Sequence, residues 1–516
     1  MFVVKTVRFL FCVIGLVCAF SACSEKAPNT NRASTMEDFA DFSVSHLSIN
    51  SHHIRSLIDS LIRNDHDGLT ADFKARSYYL NDGDFLWVSR KGVSFQADTL
   101  LEYLKGVGRM GFSPKRFCVP QIEEDLRRAR LLDVDDQHNM NKLLARLEYR
   151  LTKAYLRYVT GQRFGYMNPT FLFNRLDTLK PNKVDTIARP VRYRGLFDVK
   201  MEHAGKMFYA EAFRKIANDS VRYFLKEVQP RNEYYQLLEQ KYVVSEGTSK
   251  AWRVKLLCNM ERFRWRLADS PLKHQKYVLV NIPSFHLMAV DEADTLLMRI
   301  GCGSNETKTP LLNSLLKRMD VNPKWNVPRS IVEKDISRYW SRSYFERRGF
   351  YVMDRKTGKE VDIRYVTTAM LHDPSYAVVQ KGGKGNSLGR LIFRFDNNFS
   401  VYLHDTSSRD VFSREDRGVS HGCVRVEKPF ELAKFLLKGE NEKFFENLDY
   451  CMTSDSLADK SKIIGSKPIQ PMVPVFLYYY TIYPLGSPGV GVRLEEYPDV
   501  YGYDQVIYDF IKRNYL

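Results

Sequence analysis

The sequence has no CxxC pair, no apolar run long enough for a mature transmembrane helix, no internal repeat and no low-complexity tract. Each absence removes a class of protein. Without paired cysteines at short spacing there is no zinc ribbon and no dense disulfide framework. The apolar run from Phe9 to Phe20 is too short to span a bilayer. The glycine-rich stretch Lys381-Gly382-Gly383-Lys384-Gly385-Asn386 lacks the GKS/T ending of a phosphate-binding loop and reads as a flexible turn.

What is present starts with size and charge. At 516 residues the chain is too long for one ordinary core, so two or more domains are expected. Hydrophobic content of 44% and aromatic content of 13% are those of a folded protein. The formal charge of +17 suits a polyanionic setting: nucleic acid, an anionic membrane or a cell-wall polymer. The N-terminus chooses among them. Lys5 and Arg8 precede the apolar run, and Ser21-Ala22-Cys23 follows it, which is the layout of a secretory signal. Small residues directly before a cysteine resemble a bacterial lipobox, with cleavage before Cys23 and lipid added to its thiol; a plain secretory signal is the alternative. Either way the mature chain is expected to leave the cytoplasm, which excludes a nucleic-acid partner. Removing Lys5 and Arg8 lowers the charge by two, to +15, so the basic character belongs to the mature part.

Of the eight cysteines, Cys12 and Cys18 fall in the signal. Cys118, Cys258, Cys302, Cys423 and Cys451 remain beyond Cys23, an odd number at wide spacing. At least one thiol is therefore unpaired in an oxidising compartment, and a reactive role is worth testing.

Residues 24–36 are polar and read as a tether. From Asp38 to about Gln240 the pattern is mainly helical. Asp98 can cap a helix carrying Leu100, Leu101, Leu104 and Val107, ended by Gly108. A longer helix is predicted from about Asn141 to Val159, with Leu144, Leu147, Leu151, Ala154 and Tyr158 on one face and Gly161 after it. Arg146, Arg150, Lys153 and Arg157 form a basic stripe on its other side, readable as a solvated face or as a contact for anionic glycan or lipid.

Near Tyr277 the period becomes strand-like, as in Tyr277–Ile282 and Leu297–Ile300. Asn322–Pro328 reads as a loop anchored by Trp325, and Glu333–Arg348 as a charged helix. The clearest hairpin follows. Leu391, Phe393 and Phe395 alternate, Asp396-Asn397-Asn398 turns, and Phe399, Val401 and Leu403 alternate again. His404 has the opposite parity to Leu403, so it points to the other face at the strand's end. After Arg425-Val426 a helix starts at Lys428-Pro429, with Leu432, Ala433, Leu436 and Leu437 buried and Gly439 closing it. A late aromatic strand is predicted over Val473–Tyr483.

Cys423 follows His404 by 19 residues, and His421 lies two before it. A cysteine nucleophile needs a base or a cation beside it, and a hairpin end with its loop can bring His404 to hydrogen-bond distance of Cys423. Gly422 allows a tight turn that could aim the amides of Gly422 and Cys423 at an oxyanion. Arg425 adds positive charge near the thiolate and can hold a substrate carboxylate. The imidazole needs an orienting group, for which Asp405 and a backbone carbonyl are both open. Spacing alone leaves a structural cysteine with two ordinary histidines equally open. A zinc site from His404, His421 and Cys423 lacks an evident fourth ligand, so no metal is expected.

His404-Asp405-Thr406 with Ser420-His421-Gly422-Cys423-Val424-Arg425-Val426 resembles the signature of the L,D-transpeptidase (YkuD-like) catalytic domain. Asn281-Ile282-Pro283, Thr309-Pro310, Asn322-Pro323-x-Trp325-x-Val327-Pro328, Asn386–Arg390 and Tyr402–Thr406 resemble its large YcbB-like members. Leu151-Thr152-x-Ala154 and Asn259-Met260-Glu261-Arg262-x-Arg264-Trp265 resemble their scaffold region. The resemblance implies an α+β multidomain protein: signal 1–22, tether 23–37, a mainly helical scaffold over 38–270, and a mostly β sandwich over 271–516 with a capping insertion at about 331–380. It implies Cys423 as nucleophile, His404 as base, His421 and Gly422 shaping the site, and Arg425, Tyr402, Ser420 and Asp405 toward substrate. The implied reaction joins peptidoglycan stem peptides by 3–3 cross-links with release of D-alanine, without a cofactor, in a periplasmic protein lipid-anchored to the inner or outer membrane. Cell-wall synthesis enzymes or a D,D-carboxypeptidase are its implied partners. An L,D-carboxypeptidase, a protein-to-peptidoglycan tethering enzyme and a non-catalytic wall-binding scaffold are the alternatives. Two departures stand out: only Tyr242–Trp252 fills the place of the usual peptidoglycan-binding module, and Lys381-Gly382-Gly383 replaces an Arg-Gln-x-x-Gly pattern.

Overall fold

A computed structural model describes residues 49–89, 92–179, 190–484 and 493–516. The signal, the tether and Cys23 lie outside the described residues. The chain forms two compact units, which do not divide at a single boundary near residue 270. The first comprises the described residues up to Gly108 with Phe112–Thr160 and Ala204–Gln229; the second comprises Arg109–Gly111, Gly161–His203 and Pro230–Leu516.

The first unit is helical. Its longest helix, Met140–Phe164, runs past Gly161, and Leu144, Leu147, Leu151, Ala154 and Tyr158 are buried as their spacing predicts. The basic stripe is not a solvated face. Arg146 and Arg150 both reach Asp125, with Arg146 Nε 2.9 Å from Oδ2 and Arg150 Nη1 2.9 Å from the same oxygen. Lys153 Nζ lies 2.8 Å from Asp67 Oδ2. Arg157 Nη2 donates to Asp72 at 2.8 Å and to Asp67 at 2.6 Å. A charge taken out of water must be paired, and here acidic residues on neighbouring segments of the same unit neutralise the stripe. Asp98 likewise pairs with Arg130 Nη1 at 2.5 Å, in the first turn of a helix that begins at Gln96. Removing one partner of a buried pair is costly, so Arg157→Ala is expected to lower stability by about 3–5 kcal/mol. Urea unfolding followed by circular dichroism measures this, and a loss below about 1 kcal/mol would contradict the buried pairing.

The second unit is built on one sheet. Its strands are β1 (Lys276–Asn281), β2 (His286–Asp291), β3 (Asp294–Gly303), β4 (Leu311–Val321), β5 (Leu391–Phe395), β6 (Leu403–His404), β7 (Val424–Val426) and β8 (Ser466–Tyr478). They run in the order β5-β6-β7-β3-β2-β1-β8-β4, and β4 pairs again with β5. The mostly β sandwich is therefore closed into a ring. Its core holds Leu279, Ile300, Phe393, Leu403, Val424 and Phe476, all fully buried. Both β6–β7 and β1–β8 are parallel; the other ring pairs are antiparallel.

The hairpin forms, but its return strand is only Leu403–His404. The segment before it is a loop folded around one side chain. Asn397 Oδ1 accepts from the amides of Phe399 and Val401, and its Nδ2 donates to Val401 O. Side-chain competition of this kind replaces a ladder that alternation alone would predict.

Residues 325–380 carry a separate four-stranded antiparallel sheet, Trp325–Asn326, Tyr376–Gln380, Phe350–Asp354 and Glu360–Val361. Val332, Ile336, Phe345, Phe350, Val352 and Val378 form its own small core. The single helix predicted over Glu333–Arg348 is broken into Arg329–Lys334, a 3-10 turn Ile336–Tyr339, and Arg342–Arg348 capped by Ser341. Lys250–Arg264 is a helix whose side chains tie distant segments. Asn259 Oδ1 accepts from Thr481 N and Ile482 N, Glu261 Oε1 accepts from Tyr166 N, and Arg262 Nη1 lies 2.5 Å from Asp504.

Candidate active site

The register of the parallel pair β6–β7 builds the site. Leu403 pairs with Val424 and His404 with Arg425. Leu403 and Val424 enter the core, so Tyr402, His404, Cys423 and Arg425 share the opposite face. The Tyr402 and His404 rings lie 5.9 Å apart, edge to face.

The turn carrying the thiol is pinned from several sides. Thr307 Oγ1 donates to Ser420 O at 2.7 Å, and Thr309 Oγ1 donates to Gly422 O at 2.9 Å. Ser420 Oγ donates to Cys423 O at 2.6 Å while accepting from Gly422 N at 3.0 Å. Gly422 sits at φ +116, a conformation that a side chain disfavours. These bonds bear on two sequence readings. Ser420 is buried and its hydroxyl holds the turn. The Gly422 amide is already satisfied, which leaves the Cys423 amide, bonded to no acceptor among the described residues, as the donor for an oxyanion.

His404 is buried, and its Nδ1 donates to the carbonyl of Asp405. That bond places a proton on Nδ1, and the backbone of Leu388 also hydrogen-bonds the ring. Of the two candidate orienting groups, the backbone carbonyl is the one used. The Asp405 carboxylate is turned away and accepts from Arg390 N at 2.8 Å and Arg409 Nη1 at 3.3 Å. It also packs on Gly389, where a Cβ would fall 2.4 Å from it. Asp405 is thus a brace for the Asn386–Arg390 loop.

Burial, with Arg425 nearby, pushes the His404 imidazole down to about 4. Burial pushes the Cys423 thiol up to about 11, opposed by Tyr402 and Arg425. The resting pair is consequently neutral thiol and neutral imidazole. The expected hydrogen bond from Cys423 to His404 is not formed among the described residues. The thiol instead hydrogen-bonds with the backbone and side chain of Tyr402, and Ser400 O lies 3.9 Å away. Arg425 is largely buried, and its Nε has no hydrogen-bond partner.

His421 stands at the rim, with Nε2 2.9 Å from Asp335 Oδ2 of the 325–380 segment. A cavity of about 390 Å³ opens beside it, lined by Gly422, Val401, Phe399, Lys308, Arg194 and Lys334 among others. Sequence reasoning missed Ser400, Thr307, Asp335 and Lys334, which have no local pattern. Thr309 was visible only within Thr309-Pro310. No cluster of three or more potential metal ligands occurs among the described residues. Cys118, Cys258, Cys302 and Cys451 are free thiols, and the latter three are buried.

Residues 275–443 match the YkuD family, described as the L,D-transpeptidase catalytic domain, and residues 74–241 match the Scaffold domain. The chain therefore carries a YkuD L,D-transpeptidase catalytic domain behind a Scaffold domain, an order consistent with YcbB-like architecture. It is 30% identical over 297 residues to a Haemophilus influenzae protein named "Putative L,D-transpeptidase". That match spans 57% of each chain, so this chain covers little more than half of its relative. A solved L,D-transpeptidase from Mycobacterium smegmatis aligns over 40% of this chain and 58% of its own, at 13% identity and a TM-score of 0.17.

Proposed function

We propose that this protein is a peptidoglycan L,D-transpeptidase working through a thioester on Cys423. The observation that carries the reading is the shared face of His404, Cys423 and Arg425 at the β6–β7 pair. With substrate seated, the thiol leaves Tyr402 and His404 Nε2 takes its proton. The sulfur attacks the carbonyl between diaminopimelate and terminal D-alanine, forming a C–S bond. The Cys423 amide donates to the oxyanion. The C–N bond breaks, and the proton held on His404 goes to the departing D-alanine amine. An amine of a second stem then attacks the thioester, giving its proton to His404, and the thiol is regenerated as the 3–3 amide forms. Arg425, with its unpaired Nε, is suited to the D-alanine carboxylate.

Digestion of sacculi treated with the purified protein, followed by mass spectrometry of the muropeptides, tests this. The expected result is 3–3 dimers with loss of terminal D-alanine. Loss of D-alanine without dimers would mark water as the acceptor, and protein-linked stems would mark a lysine acceptor. Absence of all three products would overturn the enzyme reading in favour of a wall-binding scaffold.

The same reading places the chain in the periplasm, anchored by lipid on Cys23 and supplied with tetrapeptide donors by a D,D-carboxypeptidase activity. Cys23→Ser is expected to shift the protein from the membrane to the soluble fraction. Unchanged partitioning on fractionation would count against the anchor.

A further inference from the structure

Three successive peptide planes make up the nucleophile turn, and they are held by different groups. The His421–Gly422 plane is fixed through Gly422 N, which donates to Ser420 Oγ at 3.0 Å. The Cys423–Val424 plane is fixed on both sides: Cys423 O accepts from Ser420 Oγ at 2.6 Å, and Val424 N donates to Tyr402 O at 3.1 Å. The plane between them carries the unengaged amide. A peptide is planar and trans, so Gly422 O and the Cys423 N–H point in opposite directions. Whatever holds the carbonyl therefore aims the amide. Among the described residues that holder is Thr309 alone, whose Oγ1 donates to Gly422 O at 2.9 Å. Gly422, at φ +116 and without a Cβ, offers little resistance of its own to rotation of this plane.

Thr309 is fully buried and is itself held. Its Oγ1 accepts from Gly303 N at 2.9 Å, and its own amide donates to the Tyr501 hydroxyl at 3.1 Å. The same hydroxyl donates to Gly303 O at 2.7 Å. Gly303 ends β3 in close contact with this loop: a Cβ there would fall 2.7 Å from Thr309 N. Tyr501 precedes the helix Tyr503–Tyr515 and is anchored by Tyr479, whose ring stacks on it at 5.7 Å. The Tyr479 hydroxyl accepts from Tyr501 N at 2.8 Å and donates to Asp499 Oδ1 at 2.6 Å. We propose that Thr309 and Tyr501 are positioning residues for acyl transfer: they lock the Gly422–Cys423 peptide so that its N–H faces the oxyanion formed on the attacked carbonyl. The proposal rests on the transpeptidase reading and deepens it. It places a determinant of the chemistry at Tyr501, outside the 275–443 family match.

The test compares two reactions of one thiol in the full-length protein, each followed at the Cys423 peptide by mass spectrometry. Acylation by a carbapenem creates an oxyanion when the sulfur adds to the carbonyl. Alkylation by iodoacetamide creates none: the sulfur displaces iodide at a saturated carbon, and the thiol proton is lost in both reactions. Thr309→Val is expected to acylate about 10²-fold more slowly, the order for losing one oxyanion donor. Its alkylation should stay within about twofold of wild type, because the base and the thiol are untouched. Thr309→Ser keeps the hydroxyl and should acylate within about threefold of wild type. Tyr501→Phe removes one oxygen and should slow acylation about fivefold without slowing alkylation, and it carries the test should Thr309→Val fail to fold. An equal fall in both reactions for either variant, unchanged acylation in Thr309→Val, or no recovery in Thr309→Ser would each overturn the lock. Wild-type protein that alkylates at Cys423 but never acylates would overturn the enzyme reading and the lock together. Wild-type protein that acylates while Thr309→Val keeps pace with it would overturn the lock alone.

Discussion

Replacing Cys423 with alanine is expected to abolish every acyl adduct on the protein, whether from a tetrapeptide donor or from a carbapenem. Four other thiols lie among the described residues, and three of them, Cys258, Cys302 and Cys451, are buried. Burial pushes Cys302 up to about 12, and Cys258 is raised well above its ordinary range in a packed interior. A buried protonated thiol with no base beside it is a poor nucleophile. Among the described thiols, only Cys423 sits on a turn with a histidine, an arginine and an unengaged amide on its face. Intact-mass spectrometry after incubation reads the outcome directly. A persisting adduct in the alanine variant would move the nucleophile elsewhere and remove the basis of the proposed mechanism.

The His404→Gln protein is expected to acylate with a carbapenem about 10²–10⁴-fold more slowly near neutral pH. The pH dependence separates a base from a structural role. In the wild type the imidazole is unprotonated above about 4 and the thiol is intact below about 11. Acylation should therefore be nearly flat over roughly pH 5.5 to 9, inside the range bounded by those two titrations. Without the base, reaction must wait for free thiolate, so the rate should climb about tenfold per pH unit across that range. Stopped-flow acylation at several pH values measures both profiles. An acid limb centred near the ordinary histidine value in the wild type would contradict the burial argument. A flat profile in the glutamine variant would show that His404 is not the base.

Much of the site was legible before any coordinates. The parity of Leu403 and His404 located the histidine on the face away from the core, and the single parallel register with β7 brings Cys423 and Arg425 to that same face. The glycine before the cysteine was readable as a turn, and it takes a positive φ. The assignments that changed all depended on groups far away in sequence. Ser420 and Asp405 look like site residues because they adjoin the reactive ones. Their atoms are instead used by Gly422 N, Cys423 O and Arg390 N. The basic stripe looked solvated because its acidic partners lie on other segments, at residues 65–72 and 125. The Asn259–Trp265 segment was recognisable as a motif, but nothing in it says that Asn259 receives Thr481 or that Glu261 receives Tyr166.

Sequence alone thus determined the chemistry that is available: a thiol, an imidazole of correct parity, a flexible glycine and a nearby guanidinium, because residue type and strand period are local properties. Tertiary structure decided how that chemistry is poised. Burial sets the protonation of His404 and Cys423, the Asp405 carbonyl sets the tautomer, Tyr402 hydrogen-bonds the thiol, and Asp335 and Lys334 bring charge to the rim. Each of these is a contact between groups that the chain order separates or whose burial only the folded state creates, so periodicity and spacing carry no trace of them.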